Sequence, residues 1–294
     1  MRRQANRSIS NFNQHFLKDD SVLEQIVALA EIEPYETVLE IGPGEGNITS
    51  RIAQHAKHVV AIETDQRLRP KLEALQNLYS NLSVLYGNAL DMRLPRFDRL
   101  VSNIPFNITE PLIMKLFGER FTAAILIVGK TFANNVYSNN GHTTKLGLLT
   151  RAYFRVEPLL HVPRESFEPV PSTDATLIEF YPVKKKELEK EFPLYVVRCL
   201  WDQKTRPVRD VISSALYQYV SSRGGSKIDL SRVTEKLDEE DSYLARSRVD
   251  ALTNEQFLEI YQHVSGINLR RLFGGHKPRG GAKNLLRSYE EYLQ

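Results

Sequence analysis

Short apolar runs alternate along the chain with longer segments whose apolar residues recur at helical spacing. Residues 21–30 show the helical spacing, and Asp19 or Asp20 precedes them as a candidate N-cap. Residues 37–41 form a nearly continuous apolar run, which is typical of a strand buried on both faces. The same patterns recur, with strands predicted at residues 58–63, 82–87, 99–103 and 123–128 and helices at residues 48–56 and 68–78. Strands alternating with helices predict a mostly parallel α/β sheet covered on both faces.

The pattern changes near residue 182. Two apolar runs, at residues 153–162 and 176–182, can close the sheet with a hairpin, and a charged segment at residues 182–187 follows as a linker. Beyond it helical periodicity dominates, at residues 194–200, 208–220 and 254–264. We therefore predict two domains, residues 1–185 with the sheet and residues 186–294 with helices.

The composition is that of an ordinary globular protein, with 41% hydrophobic and 26% charged residues. No stretch approaches the roughly 20 apolar residues that a membrane-spanning helix needs, and the basic N-terminus lacks the apolar run of a secretory signal. The single cysteine, Cys199, excludes an intramolecular disulfide and a multi-cysteine zinc site. The histidines show no metal-ligand spacing, so we expect no metal. These features favour a cytoplasmic protein.

The net charge of +3 does not by itself indicate a nucleic-acid partner. Basic residues are nevertheless grouped near both ends of the chain, with Arg2 and Arg3 at the start and Lys277 and Arg279 in a glycine-containing stretch near the end. Such groups can contact phosphates at separate points. Solvated tails explain the same pattern equally well.

A glycine-rich loop follows the first predicted buried strand and precedes a helix. Gly42, Gly44 and Gly46 allow the backbone to approach a ligand, because a side chain would occupy that space. Nineteen residues after Gly44, Glu63 ends the next strand, where a carboxylate can accept hydrogen bonds from ribose hydroxyls. This combination suits a dinucleotide or S-adenosylmethionine.

Two details favour S-adenosylmethionine over a dinucleotide. Asn47 stands where the dinucleotide fingerprint would have its last glycine. Glu40 immediately precedes the loop, where its carboxylate can face the cationic amino-acid end of the donor. The alternative is a tight strand-to-helix turn without a ligand, in which Glu63 only caps a helix.

The tetrapeptide Asn103, Ile104, Pro105 and Phe106 follows the fourth predicted strand. The N6 amine of adenine is a weak nucleophile, because its lone pair is delocalised into the ring. The Asn103 amide oxygen and a backbone carbonyl at Ile104 or Pro105 can each accept one N–H and aim the lone pair at a methyl group. Pro105 stiffens the turn, and Phe106 offers a surface on which an extruded base can stack. We therefore expect methyl transfer to adenine.

These motifs resemble those of the adenine-N6 rRNA dimethyltransferase family. That family includes the 16S/18S rRNA dimethyladenosine transferases and the macrolide-resistance 23S rRNA methyltransferases. The resemblance covers residues 11–182 and is weaker at residues 202–209. Its motifs are, in order, NQHFL, VLEIGPGEGNIT, VVAIETD, NIPFNITEPLIMKLF and VPRESFEPVPS.

The resemblance implies a Rossmann-like seven-stranded methyltransferase sheet, followed by a small helical domain that helps to hold RNA. It implies an enzyme that binds ribosomal RNA or a ribosomal subunit and adds two methyl groups to the N6 amine of one adenine, or of each of two neighbouring adenines. We expect a monomer. By resemblance and from the glycine loop, donor contacts fall on His15, Leu17, Gly42, Gly44, Glu63, Asn88 and Asn103. Contacts with RNA fall on Lys204, Arg206 and Arg209, besides the basic residues near the two ends.

The chain departs from the family pattern at several positions. Asn88 stands where the family usually has aspartate, and Gly129 stands where it usually has glutamine. These changes motivate an alternative function, a non-catalytic RNA-binding factor in ribosome assembly. The tetrapeptide resembles the resistance branch more than many housekeeping members, so the target, a small-subunit or a large-subunit adenine, stays open. A nicotinamide-dependent oxidoreductase is disfavoured by the loop spacing.

Overall fold

The computed structural model describes residues 15–137, 144–222 and 242–267. These residues form two compact units, the first from residues 15–137 and 154–182 and the second from residues 144–153, 183–222 and 242–267. The second unit therefore takes in residues 145–153, which the linear division at residue 185 assigns to the first domain. The reason is a set of contacts at Tyr153, whose hydroxyl donates a hydrogen bond to Asp202 and whose carbonyl accepts one from the Val183 N–H.

The first unit contains a seven-stranded sheet with helices between its strands. The strands of this unit, seven in the large sheet and two in a separate pair, are β1 (Phe16–Leu17), β2 (Thr37–Ile41), β3 (His58–Glu63), β4 (Leu82–Tyr86), β5 (Arg99–Asn103), β6 (Ala123–Gly129), β7 (Phe154–Val162), β8 (Phe167–Glu168) and β9 (Ala175–Pro182). Its helices are α1 (Asp20–Leu29), α2 (Asn47–Ile52), α3 (Arg69–Leu78), α4 (Thr109–Leu116) and α5 (Lys130–Tyr137). Short 3₁₀ turns lie at Gln66–Leu68, Phe106–Ile108 and Arg164–Ser166.

The strand order of the large sheet is β4-β3-β2-β5-β6-β9-β7. The first five strands of this order, from β4 through β3, β2 and β5 to β6, are parallel. Strand β9 runs antiparallel to both of its neighbours, β6 and β7. The predicted parallel sheet and its closing antiparallel pair are thus confirmed. Every residue of β6 is buried, as expected for a strand covered on both faces. Strands β1 and β8 pair separately.

The chain order reverses beside β2. The connection from β2 leads to β3 on one side, and the connection from β4 returns to β5 on the other side. Loops that follow β2 and β5 diverge at such a switch point and leave a crevice at the carboxyl ends of the strands, where open α/β sheets bind ligands. The glycine loop and Asn103 are the segments that follow these two strands.

The second unit is helical. It contains α6 (Lys145–Tyr153), α7 (Phe192–Asp202), α8 (Val208–Ser221), α9 (Ser242–Arg246) and α10 (Asn254–Ser265), with 3₁₀ turns at Glu187–Lys190 and Val249–Ala251. Aromatic packing joins α7 to α8, because the rings of Phe192 and Tyr219 meet edge to face with centroids 4.7 Å apart. Helix α10 begins with a capping box formed by Thr253 and Gln256. Within the ranges described, no helix is long and apolar enough to span a membrane.

Candidate active site

A cavity of about 300 Å³ opens at the carboxyl ends of β2, β3, β4 and β5, all within the first unit. Six of the seven predicted donor-contact residues line it together with the whole tetrapeptide. Leu17 is the exception. The residues concerned are His15, Gly42, Gly44, Glu63, Asn88, Asn103, Ile104, Pro105 and Phe106.

Leu17, which the sequence predicts to contact the donor, does not line the cavity. Leu17 is only 3% exposed and packs in the hydrophobic core, whereas its neighbour Phe16 lines the cavity. Successive side chains of a strand point to opposite faces, so only one residue of this two-residue strand can face the cavity. Phe16 could not be predicted from the sequence, because a two-residue strand has no periodicity that shows which side chain faces the cavity.

The glycine loop adopts the left-handed conformation that glycine favours, with φ of 71° at Gly42 and 59° at Gly44. The Glu63 carboxylate fastens this loop to the end of β3. Its Oε2 accepts a hydrogen bond of 3.1 Å from the Gly44 N–H, and its Oε1 accepts one of 2.7 Å from the Asp65 N–H. Burial raises the pKa of the Glu63 carboxyl above its usual range. Glu63 thus holds the loop in shape and also lines the cavity.

Glu40 does not lie at the cavity, which corrects the expectation that it faces the donor. Its carboxyl is 1% exposed and is not among the lining groups. Its Oε2 accepts a hydrogen bond of 2.6 Å from the Thr49 hydroxyl of α2. This carboxyl therefore joins β2 to the helix after the glycine loop. Burial and the nearby Glu63 charge raise its pKa to about 8, although the hydrogen bond from Thr49 acts in the opposite direction.

Stability is expected to fall as the pH rises towards 8, because of Glu40. Between its ordinary pKa of 4.5 and its folded pKa of about 8, the folded state retains a proton that the unfolded state has released. The resulting stability is fully present below the unfolded value and is lost as the pH rises through the folded value. Glu40→Gln keeps an acceptor for Thr49 but cannot titrate. Urea unfolding at about pH 6 and about pH 8 should therefore show a smaller loss for this variant than for the unchanged protein.

Glu45→Gln provides the control for this pH dependence. Lys18 and Lys71 flank the Glu45 carboxylate and hold its pKa below the usual range. This carboxylate is therefore ionised in both states between about pH 6 and about pH 8. Its variant should change the unfolding free energy equally at the two pH values. An unchanged pH slope in Glu40→Gln would contradict the role assigned to Glu40.

Asn103 is oriented by the chain that forms the wall of the cavity. Its Nδ2 donates a hydrogen bond of 2.9 Å to the His15 carbonyl. This partner assigns the two ends of the amide, since a carbonyl can only accept. Among the described residues Oδ1 receives no hydrogen bond, so it is the atom of Asn103 that can accept from a ligand.

The carbonyl groups after Asn103 are not equivalent. The Pro105 carbonyl accepts a hydrogen bond of 3.0 Å from the Ile108 N–H within the 3₁₀ turn. The sequence is compatible with either the Ile104 or the Pro105 carbonyl as the second acceptor, and this bond favours the Ile104 carbonyl. Ile104 lines the cavity although the residue as a whole is only 1% exposed.

The Phe106 ring lies close to His15 and Gly129. The ring of His15 is 6.3 Å from it, centroid to centroid, at a tilt of 32°. A Cβ added to Gly129 would lie 3.4 Å from Phe106 Cδ2. The glycine that departs from the family pattern therefore sits directly against the predicted stacking surface.

The segment that contains His15 and Phe16 is anchored at several points. His15 Nδ1 lies 2.7 Å from the Pro169 carbonyl, and Asn47 Nδ2 donates a hydrogen bond of 2.7 Å to the Leu17 carbonyl. In the sequence, Asn47 is notable only because it stands in place of the last glycine of the dinucleotide fingerprint. In the structure it does not line the cavity but holds the segment that contains Phe16 in place. The bond to Pro169 occupies the Nδ1 atom of His15.

The predicted RNA-contact residues divide into two groups. Arg2, Arg3, Lys277 and Arg279 lie outside the described residues. Lys204, Arg206 and Arg209 are exposed on the second unit, in and after the turn between α7 and α8. The Lys204 ammonium lies 4.7 Å from the centre of the Trp201 ring, and Arg206 donates to Gln203.

Comparison with known proteins identifies relatives of this architecture. The chain is 31% identical over 257 residues to the "Probable ribosomal RNA small subunit methyltransferase A" of Methanosarcina barkeri, covering 86% of each chain. A dimethyladenosine transferase from Plasmodium falciparum superposes with a TM-score of 0.59 at 26% identity, over 84% of this chain and 96% of that one. The 23S rRNA methyltransferase ErmE shares the fold, with a TM-score of 0.56 at 24% identity over 85% and 99%.

The family comparison covers most of the chain. The sequence model of the family described as ribosomal RNA adenine dimethylase matches residues 5–250. This range includes every residue that lines the cavity, and also Lys204, Arg206 and Arg209 of the second unit. The sequence resemblance and the Rossmann-like methyltransferase fold are thereby confirmed. This protein belongs to the ribosomal RNA adenine dimethylase family.

Proposed function

We propose that this protein transfers methyl groups from S-adenosylmethionine to the N6 amine of adenine in small-subunit ribosomal RNA. The observation that carries the proposal is the meeting of the glycine loop, Glu63 and Asn103 around one cavity. Membership of the ribosomal RNA adenine dimethylase family supports adenine as the acceptor and two methyl groups as the product. The name of the Methanosarcina barkeri relative, a small-subunit methyltransferase, supports the small subunit as the target.

The cavity has the features that a nucleoside-containing donor requires. A Cβ on Gly44 would lie 2.9 Å from the Phe16 ring, so glycine keeps both the loop and the ring in place. The Glu63 carboxylate has lone pairs beyond those used by the loop, and these suit ribose hydroxyls. S-adenosylmethionine, when bound, supplies an electrophilic methyl group. We assign donor binding to His15, Phe16, Gly42, Gly44, Glu63 and Asn88.

The acceptor side is built by the tetrapeptide. Asn103 Oδ1 and the Ile104 carbonyl each accept one hydrogen of the adenine amine, which directs the nitrogen lone pair towards the donor. Phe106 stacks on the extruded base, a contact worth about 1–3 kcal/mol. The chain needs no strong base, because the proton leaves to water after the methyl group has been transferred.

The second unit is proposed to hold the RNA. Lys204, Arg206 and Arg209 present positive charge on its surface and are placed to neutralise phosphates. The alternative of a non-catalytic assembly factor has no support in the site, where Asn103 and Phe106 remain at the cavity. The cytoplasmic location and the monomeric state stay predictions.

Mass mapping of ribosomal RNA methylated in vitro tests this function. Purified protein and S-adenosylmethionine are incubated separately with unmethylated small-subunit and large-subunit substrates, and the digested RNA is compared with a reaction lacking donor. We expect two added methyl groups on adenine in the small-subunit substrate. Modification confined to the large-subunit substrate would overturn the proposed target, and no modification of either would overturn the proposed activity.

A further inference from the structure

The turn that follows β4 contains a side-chain pair that the family pattern does not anticipate. Asn88 Nδ2 donates a hydrogen bond of 2.7 Å to Asp91 Oδ2, and Asn88 Oδ1 accepts one of 3.0 Å from the Leu90 N–H. Asn88 lines the cavity and Asp91 does not. We propose that Asp91 is a positioning residue for Asn88, and that its carboxylate makes asparagine the required residue at position 88 for donor binding. This inference rests on the proposed function.

The two hydrogen bonds fix the orientation of the Asn88 amide. A backbone N–H must face the amide oxygen, and a carboxylate must face the amide nitrogen, so rotation by half a turn would lose both bonds. One N–H and one oxygen lone pair remain on Asn88. This donor and acceptor, side by side, match the edge of an adenine ring, which offers a ring nitrogen as acceptor and an amine as donor.

The backbone of the same turn is held by a second element. Lys115 of α4 donates hydrogen bonds of 2.8 Å to the Leu90 carbonyl and 2.6 Å to the Met92 carbonyl. The backbone between Asn88 and Asp91 is therefore held by Lys115 and by the turn bond of 3.0 Å from the Asp91 N–H to the Asn88 carbonyl. A supported turn keeps the Asn88 amide at a constant place on the cavity wall.

The charge of Asp91 explains why the aspartate usual in the family would be unsuitable here. In Asn88→Asp, two carboxylate oxygens would face each other where a hydrogen bond of 2.7 Å now joins the side chains. Two carboxylates at such a distance cannot both ionise without strong repulsion. Either the side chain at position 88 turns away or the turn opens. In both cases the group that faces the cavity is displaced.

A double-mutant cycle on the full chain tests the pair. Calorimetry measures the binding of S-adenosylmethionine and of S-adenosylhomocysteine to the unchanged protein, Asn88→Asp, Asp91→Asn and the double variant. We expect Asn88→Asp to weaken binding at least about tenfold and Asp91→Asn to weaken it about two- to threefold. The double variant restores a hydrogen-bonded pair, in which the new amide at position 91 donates to the new carboxylate at position 88. Its affinity should therefore exceed that of Asn88→Asp by at least about threefold, while staying below that of the unchanged protein because the carboxylate at position 88 has no N–H for the adenine edge.

Glu33→Gln supplies the matched control for charge. Glu33 is exposed near the amino end of β2, and its side chain makes no described contact with Asn88. Combined with Asn88→Asp, it removes the same formal charge as Asp91→Asn but should not restore binding. Equal rescue by Glu33→Gln, or an additive cycle, would overturn the inference while leaving the proposed function intact. Failure of the unchanged protein to bind either ligand would overturn the proposed function and the inference together.

Discussion

Replacing Asn103 with alanine is expected to lower the single-turnover rate of adenine methylation by about two to three orders of magnitude. The variant loses Oδ1, the atom proposed to accept a hydrogen from the adenine amine and to aim its lone pair. Groups that act mainly in the transition state reduce the rate of the chemical step more than they reduce ground-state binding. The measurement is a quenched-flow assay on small-subunit RNA with saturating donor, accompanied by calorimetry of donor binding.

Asn103→Ala also removes the hydrogen bond from Asn103 Nδ2 to the His15 carbonyl, and Asn47→Ala is the control for this structural loss. Both amides donate to a backbone carbonyl of the segment that contains Phe16, Asn103 to His15 at 2.9 Å and Asn47 to Leu17 at 2.7 Å. Only Asn103 also lines the cavity. We expect Asn47→Ala to weaken donor binding modestly and to leave the rate at saturating donor largely unchanged. A similar loss of rate in both variants would assign the effect to the wall, and a full rate in Asn103→Ala would refute the acceptor role.

The sheet and the location of the site could both be predicted from the sequence, because both depend on buried parallel strands. Fully buried parallel strands have continuous apolar runs, and their carboxyl ends meet at one edge of the sheet. Residues far apart in the chain, such as Gly42 and Asn103, could therefore be expected to lie close together. The periodic helices of the second unit were likewise visible, because amphipathic spacing persists over several turns in α7, α8 and α10.

What the sequence did not reveal depends on single side-chain orientations. Whether Glu40 points to the cavity or to α2 is decided by the hydroxyl of Thr49, nine residues away in another element. The choice between the carbonyls of Ile104 and Pro105 depends on a turn bond to Ile108. The role of Asp91 depends on the amide of Asn88. Patterns of apolar spacing contain no information on such contacts, because one polar side chain has several possible partners within reach.

The grouping of residues 145–153 with the second unit has a similar explanation. Their apolar spacing fits any buried helix, and their place in the chain, between two elements of the first unit, suggests membership of that unit. Instead Tyr153 bonds to Asp202 of α7, and Lys145 lies 5.2 Å from the Phe257 ring of α10. Long-range contacts of this kind decide domain membership, and linear boundaries cannot express them.

Gly44→Ala is expected to lower the free energy of unfolding by about 2–4 kcal/mol and donor affinity by more than about tenfold. The backbone there has φ of 59°, which is unfavourable for alanine by about 1–2 kcal/mol. The new Cβ would also lie 2.9 Å from two atoms of the Phe16 ring, so the ring or the loop must move. Movement of the loop would strain the hydrogen bond from the Gly44 N–H to Glu63. Urea unfolding and calorimetry measure the two effects separately.

Gly118→Ala separates this effect from the general consequence of adding a methyl group. Gly118 lies in the same unit without a positive φ, and the nearest atom to its added Cβ is the Lys115 carbonyl oxygen at 3.9 Å. This variant should unfold and bind donor much like the unchanged protein, because the Cβ makes only an ordinary van der Waals contact. If Gly44→Ala also kept its donor affinity, the close approach of Phe16 to the loop would not control the cavity. A loss in Gly44→Ala alone would instead link the left-handed loop and the aromatic wall to the place where the donor binds.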